Sequence, residues 1–198
     1  MMDLLEHCAP EIHPVTIAAV VQQESGGNPL ALHDNTAKNS YRPQSIAEAA
    51  EIARKLILDG HSVDIGLAQI NSKNLPKLGL TVEQVLDPCT NLQASQKILK
   101  EGWYRSGGDI VGTLSAYNTG KVESSVGQGY AQKVYLKANS PNHIVPSIPG
   151  GEIAPWVKNA SNKTTSTDLS PVRLKVEKPV TASPLEPNGE GLRVKIGQ

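Results

Sequence analysis

The chain has 198 residues, enough for one domain with an appendage or for two small domains. Its formal net charge is +0 and its pI is near 7.0, so no basic footprint for nucleic acid or anionic lipid is present. No apolar run approaches the length of a membrane span, so we expect no stable membrane insertion.

A helix is predicted over residues 15–24, directly before a pair of glycines. One face carries apolar residues and an acid at helical spacing: Ile17, Val20, Val21 and Glu24. Gly26 and Gly27 supply the left-handed turn that ends such a helix. Partial burial and the negative end of the helix dipole both disfavour an ionised carboxylate here. Glu24 is therefore predicted to donate a proton, with a solvated helix-end glutamate as the alternative.

The rest of residues 1–139 is predicted to be mainly helical, with connecting turns and loops. Residues 30–45 are predicted to form a long loop at one lip of a groove. Helices or helical turns are predicted at residues 45–59, 71–78, 81–86 and 87–103, from residue 110 to Gly120, and from Tyr130 to Ala138. Apart from a small β element allowed near residues 62–65, no strand pattern is convincing, so the fold class is mainly α.

Three short segments carry the strongest motif. They are Glu24-Ser25-Gly26-Gly27-Asn28-Pro29, Gly66-Leu67-Ala68-Gln69-Ile70-Asn71 and Ala116-Tyr117-Asn118-Thr119-Gly120. Followed by Gly129-Tyr130-Ala131-Gln132-Lys133-Val134, they resemble the signatures of the lytic transglycosylase (SLT) domain across residues 5–138. Residues 63–72 and 87–92 are most similar to the subfamily encoded with type IV secretion and conjugation systems. The resemblance implies a lysozyme-like architecture.

The resemblance also implies a reaction. Cleaving the MurNAc-GlcNAc β-1,4 bond of peptidoglycan requires a proton for the leaving oxygen and stabilisation of an oxocarbenium-like centre. One acid suffices if the N-acetyl carbonyl of the substrate acts as an internal nucleophile. Glu24 is then implied to give its proton and to accept one from the muramic C6 hydroxyl. The product would carry a 1,6-anhydro ring, and no water would be consumed.

The implied substrate-binding residues are Ser25, Gln69, Tyr117, Asn118 and Tyr130. Ser25 is expected to orient the N-acetyl group, and the amides of Gln69 and Asn118 to bind sugar amides and hydroxyls. Tyr117 is expected to be a wall and platform, and the Tyr130 hydroxyl to approach the catalytic acid. The alternatives are backbone capping for Ser25 and Asn118 and core packing for both tyrosines.

Two residues, Ala68 and Asp64, leave other functional hypotheses open. Ala68 stands where methionine is usual, which would loosen one subsite wall. Asp64 is the best candidate for a second carboxylate, against a loop or capping role. With Asp64 and water the chain would be a lysozyme-type hydrolase; without turnover it would be a wall-binding assembly adaptor. The five histidines show no metal-ligand spacing, and we expect no metal and no cofactor.

The two cysteines, Cys8 and Cys89, bear on the compartment. A disulfide between them is predicted for an exported protein, and two buried thiols for a cytoplasmic one. The resemblance implies a periplasmic enzyme, yet residues 1–7 have neither the basic nor the apolar region of a secretory signal. A shortened start, a misplaced start codon or another export route would each reconcile these observations.

Residues 140–198 differ in composition from the predicted catalytic domain over residues 1–139. They contain 8 of the 14 prolines and Trp156 as their one aromatic residue, so a disordered tail is predicted. Two short alternations, Val172-Leu174-Val176 and Leu192-Val194-Ile196, could add to the sheet edge of a partner, with a solvated linker as the alternative. The expected partners are peptidoglycan glycan strands and, through this tail, type IV secretion components, with no nucleic acid.

Overall fold

The computed structural model describes residues 2–139, and the predicted tail with its two alternations lies outside them. The mainly α prediction is confirmed. The helices are α1 Met2–Cys8, α2 Pro14–Glu24, α3 Ile46–Leu58, α4 Leu75–Leu78, α5 Val82–Leu86, α6 Pro88–Arg105, α7 Ile110–Thr119 and α8 Ser125–Ala138. The strands are β1 Leu32–Asp34, β2 Asn39–Tyr41, β3 Val63–Ile65 and β4 Ile70–Asn71.

Local capping explains where the central helices begin. Thr81 and Gln84 form a capping box at the start of α5, in which each side chain accepts from the backbone N–H of the other residue. Asp87 Oδ1 accepts from Thr90 N at 2.8 Å, and Pro88 occupies the first turn of α6. Both boundaries are as predicted, because side chains within three residues decide them.

The strands form one antiparallel sheet in the order β2-β1-β3-β4. The prediction of a plain loop over residues 30–45 was wrong, because this segment contains the β1–β2 hairpin. Each of these strands has three residues, too few for an alternating pattern to be recognisable. The hairpin turn is closed by Asp34 Oδ1, which accepts from the backbone amides of Thr36 and Ala37 at 2.8 and 3.1 Å.

Close helix packing places α8 against α7. A Cβ added to Gly127 of α8 would lie 2.0 Å from Ser115 Oγ and 2.6 Å from Ser115 Cα. Only a residue without a side chain permits this approach, which brings Tyr130 of α8 onto Tyr117 of α7. The two rings stack with centroids 6.4 Å apart and planes 19° apart.

The Cys8–Cys89 disulfide joins the end of α1 to the first turn of α6, as predicted. The Cα atoms are 5.1 Å apart, and the bridge closes a sequence separation of 81 residues. Among the helices described between residues 2 and 139, none has the length and apolar character needed to span a bilayer.

Candidate active site

Glu24 is the last residue of α2 and is half-buried. Gly26 and Gly27 follow with φ values of 65° and 86°, so they form the predicted left-handed turn. This turn opens onto a cleft of about 650 Å³. The cleft is lined by Glu24, Ser25, Gly26, Asn28, Ala31, Leu32, His33, Ser40, Tyr41, Arg42 and Gln69. The hairpin therefore forms one lip, as predicted for residues 30–45.

Tyr130 fixes the Glu24 side chain. Its hydroxyl donates to Glu24 Oε1 at 2.6 Å, across a sequence separation of 106 residues. Tyr130 is only 6% exposed, and burial, followed by the nearby Glu24 charge, holds the pKa of the tyrosine well above its ordinary value. It therefore remains a neutral donor. This is the position that the resemblance implies, and a contact with substrate stays a prediction.

Tyr117 lies below the cleft and not in its wall. It is fully buried, and its hydroxyl donates to Ala68 O at 2.8 Å and lies 3.1 Å from Ser95 Oγ. Burial, followed by the charge of Glu24, holds the pKa of Tyr117 well above its ordinary value. This geometry corrects the prediction of a sugar platform. The ring belongs to the core, and it supports the second signature, residues 66–71, from beneath.

Gln69 lines the cleft and also braces it. Its side chain is only 3% exposed, and Nε2 donates to Ala31 O at 3.0 Å and to Gly66 O at 2.9 Å. These bonds tie the second signature to the segment that enters β1. Ala68 beside it is fully buried and is absent from the cleft lining, so this departure from the family pattern does not loosen a wall.

Sequence reasoning missed the residue that holds the second signature from behind. Asn91 of α6 is fully buried; its Oδ1 accepts from Ala68 N at 2.8 Å, and its Nδ2 donates to Ile65 O and Val85 O at 2.9 and 2.8 Å. A Cβ on Gly66, whose φ is +80°, would lie 2.4 Å from Asn91 Nδ2. The signal in the sequence was the position of Asn91 within residues 87–92, which carry the subfamily resemblance, but that resemblance assigned the residue no contact.

Ser25 and Asn118 differ in their relation to the cleft. Ser25 lines it, while its Oγ donates to Val21 O at 3.3 Å and accepts from Gly27 N at 3.1 Å. It thus has the capping contacts of the alternative hypothesis as well as access to a ligand. Asn118 is 9% exposed on α7 and is not among the lining residues.

Asp64 does not reach the cleft. It is fully buried in β3, where its Oδ1 accepts from Asn71 Nδ2 at 2.7 Å. Glu24 is the only acid among the described residues that line the cleft. Between residues 2 and 139, no group of three or more His, Cys, Asp or Glu side chains is arranged to hold a metal ion.

The sequence is similar to those of known proteins. The model of the transglycosylase SLT domain matches residues 5–137. Protein virB1 of Agrobacterium fabrum is 39% identical over 149 residues, a match that covers 71% of this chain and 59% of that protein. Protein virB1 of Rhizobium radiobacter is 36% identical over the same length, with 71% and 60% covered. Type IV secretion system protein virB1 of Brucella abortus is 33% identical, with 96% and 97% covered.

The chain spans about three-fifths of the length of the Agrobacterium and Rhizobium relatives. No solved structure gave a significant match. The family model covers most of the chain and includes every residue of the cleft. The chain therefore belongs to the transglycosylase SLT domain family.

Proposed function

We propose that this chain is a peptidoglycan lytic transglycosylase that cleaves the MurNAc-GlcNAc β-1,4 bond and leaves a 1,6-anhydromuramic product. The observation that carries the proposal is that Glu24 is the one carboxyl group among the described residues of the cleft lining, held by the Tyr130 hydroxyl at 2.6 Å. Transglycosylation with substrate assistance needs one group that first donates and later accepts a proton. Family membership and the site thus support the same chemistry.

Glu24 takes part in both proton transfers of this reaction. Its carboxyl group, oriented by the hydrogen bond from Tyr130 to Oε1, carries the transferable proton. As the C1–O bond of the muramic residue breaks, this proton passes to the leaving oxygen while the N-acetyl carbonyl oxygen bonds to C1. The C6 hydroxyl then attacks C1, the acetyl oxygen departs, and the hydroxyl proton returns to Glu24.

The two alternatives have less support in the site. A lysozyme-type hydrolase would use Asp64 as a second acid, but this carboxylate is fully buried in β3. A non-catalytic adaptor would have no need for a buried tyrosine that orients one carboxylate. Neither alternative has an observation of its own in its favour.

We infer that the reaction opens the cell wall locally for a type IV secretion or conjugation apparatus. The support is the name of the Brucella abortus relative, type IV secretion system protein virB1, which matches over 96% of this chain. Peptidoglycan as substrate implies the periplasm. The Cys8–Cys89 disulfide suits an oxidising compartment of this kind. Docking of residues 140–198 on secretion components stays a prediction.

The test is mass spectrometry of muropeptides released from purified peptidoglycan. We expect the wild-type protein to give products one water lighter than hydrolysis products, and Glu24→Gln to give none. Glu51→Gln, the same change at an exposed position of α3, is the matched control and should retain release. If the wild-type protein releases products with ordinary reducing ends and the full mass of hydrolysis products, the hydrolase hypothesis replaces the proposal. If it binds peptidoglycan but releases no muropeptides, the adaptor hypothesis replaces it.

A further inference from the structure

The lip of the cleft formed by the β1–β2 hairpin carries a cation that the proposed reaction does not use. Arg42 directly follows β2, is exposed and lines the cleft. It is the only lysine or arginine among the described residues of the lining. No ion pair in the described part of the chain includes it, whereas Arg54 pairs with Glu83 and Lys77 with Glu101. A guanidinium is therefore presented to whatever occupies the cleft.

Arg42 lies on backbone that is anchored from within the protein. His33 and Ser40 are paired across β1 and β2, and His33 Nδ1 lies 2.9 Å from Ser40 Oγ. Tyr41 is paired with Leu32, and that same leucine is paired with Ile65 of β3. The lip thus continues the sheet, so the Arg42 backbone is held at a fixed place relative to the cleft.

A buried carboxylate secures the far end of the hairpin. Asp34 is fully buried, and its Oδ2 lies 2.7 Å from His61 Nδ1 in the connection after α3. Burial pushes the pKa of Asp34 up, but hydrogen bonds from His61 and from the Ala37 and Thr36 amides outweigh it, so this pKa lies below its ordinary value. The carboxylate stays ionised at neutral pH and keeps the turn closed. A lip fixed in this way loses little entropy when a ligand binds.

The side chains of this lip are suited to bind a ligand in which an acidic group adjoins a less polar one. The guanidinium presents a planar fork of donors that fits a carboxylate with two hydrogen bonds. Tyr41, the preceding residue, is half-buried and also lines the cleft, so the lining contains an aromatic side chain as well as the cation. In peptidoglycan, the sugars themselves are uncharged, and the carboxylates belong to the peptide stem on each muramic residue.

We propose that Tyr41 and Arg42 form a subsite that binds a carboxylate of the peptide stem carried by the substrate. The inference rests on the proposed function, because it takes peptidoglycan as the occupant of the cleft. Arg42 supplies the charge and specificity, and Tyr41 supplies contact area for the stem. The subsite makes the enzyme prefer glycan strands whose stems retain free carboxylates.

The experiment compares full-length wild-type protein with Arg42→Gln, Arg42→Lys and the matched control Arg54→Gln, which makes the same change outside the cleft. Soluble glycan strands are used in three forms: with native stems, with stem carboxylates converted to neutral amides, and with stems removed by an amidase. The last form keeps only the lactyl carboxylate of the muramic residue. Both kcat/KM and the Kd for binding are measured.

We expect wild-type protein and Arg54→Gln to bind native strands about tenfold more tightly than amidated strands, as for hydrogen bonds to a charged partner. Arg42→Gln should lose this preference and match the wild-type protein on amidated strands, while Arg42→Lys should restore part of it. The change should appear in Kd and KM, with kcat unaltered.

Equal binding of native and amidated strands by the wild-type protein would overturn the inference, as would an equal loss on both substrates for Arg42→Gln. If the wild-type protein binds stem-free strands as tightly as native strands, and Arg42→Gln loses this binding, the ligand of Arg42 is the lactyl carboxylate and not a carboxylate of the stem. If the wild-type protein binds but releases no product, the proposed function fails, and the Kd values still decide the role of Arg42.

Discussion

The replacement Asn91→Ala tests how the second signature is held. The change removes the partner of three buried backbone groups: Ala68 N, Ile65 O and Val85 O. A buried polar group left without a partner costs about 1–3 kcal/mol. At the lower value for each group, we expect the free energy of unfolding to fall by about 3 kcal/mol. For a domain of this size, the melting temperature should fall by roughly 10 °C.

The measurement is urea unfolding of the oxidised protein, followed by circular dichroism, with Lys97→Ala as the control. Lys97 is on the same helix and exposed, so its replacement should change stability by less than about 0.5 kcal/mol. A loss below about 1 kcal/mol for Asn91→Ala would refute the argument, because the three groups would then have found other partners.

The replacement Asn91→Asp should make stability depend on pH in a way that a simple cavity does not. The new carboxylate could still accept from Ala68 N, but it would place an oxygen against the carbonyls of Ile65 and Val85. Burial and these contacts would raise the pKa of the introduced acid in the folded protein. The folded state then binds a proton more tightly than the unfolded state. The destabilisation relative to wild type should therefore be small near pH 4 and grow as the pH rises to 7.

Three further predictions concern the disulfide and the two stacked tyrosines. Reduction of Cys8–Cys89 should lower the free energy of unfolding by about 4.5 kcal/mol, the loop-closure value for a separation of 81 residues; equal urea midpoints with and without reductant would contradict it. Tyr130→Phe removes the donor to Glu24 Oε1, so kcat should fall roughly ten- to hundredfold with little change in KM; steady-state kinetics that show an unchanged kcat would count against this role. Because burial raises the pKa values of Tyr117 and Tyr130, the folded protein binds these protons more tightly than the unfolded chain. The stability that these two groups contribute should be fully present at pH 8 and fall as the pH rises through about 10, the ordinary tyrosine value; urea unfolding at pH 8 and pH 10.5 should show this loss, reduced in Tyr130→Phe.

The parts of the fold that the sequence predicted are decided by neighbouring residues. Asp87 and Pro88 start α6, and Gly26 and Gly27 end α2 directly after Glu24. A capping oxygen or a left-handed turn acts within a few residues, so the pattern in the chain is enough to recognise it. The same local information correctly placed Glu24 at a helix end beside an open turn.

The parts that the sequence did not predict depend on contacts between distant segments. The bonds of Asn91 reach Ala68 and Ile65, at separations of 23 and 26 residues, and no periodic pattern encodes such partners. The resemblance implied a wall position for Tyr117, and the sequence pattern could not correct it, because a helix buried on nearly every side gives no indication of which face meets the cleft. The hairpin was missed because its strands are held by partners and not by their own propensity.

The different surroundings of Glu24 and Asp64 support a reaction that uses one carboxyl group. Asp64 belongs to β3, which is paired with β1 on one side and β4 on the other, so it lies in an inner strand of the sheet. Bringing its carboxylate into the cleft would require breaking strand pairing and the bond from Asn71. Glu24 needs no rearrangement, because it ends its helix at the cleft and is already oriented by Tyr130. The fold thus makes one carboxyl group available and keeps the other as part of the sheet, which is the arrangement that substrate-assisted cleavage requires.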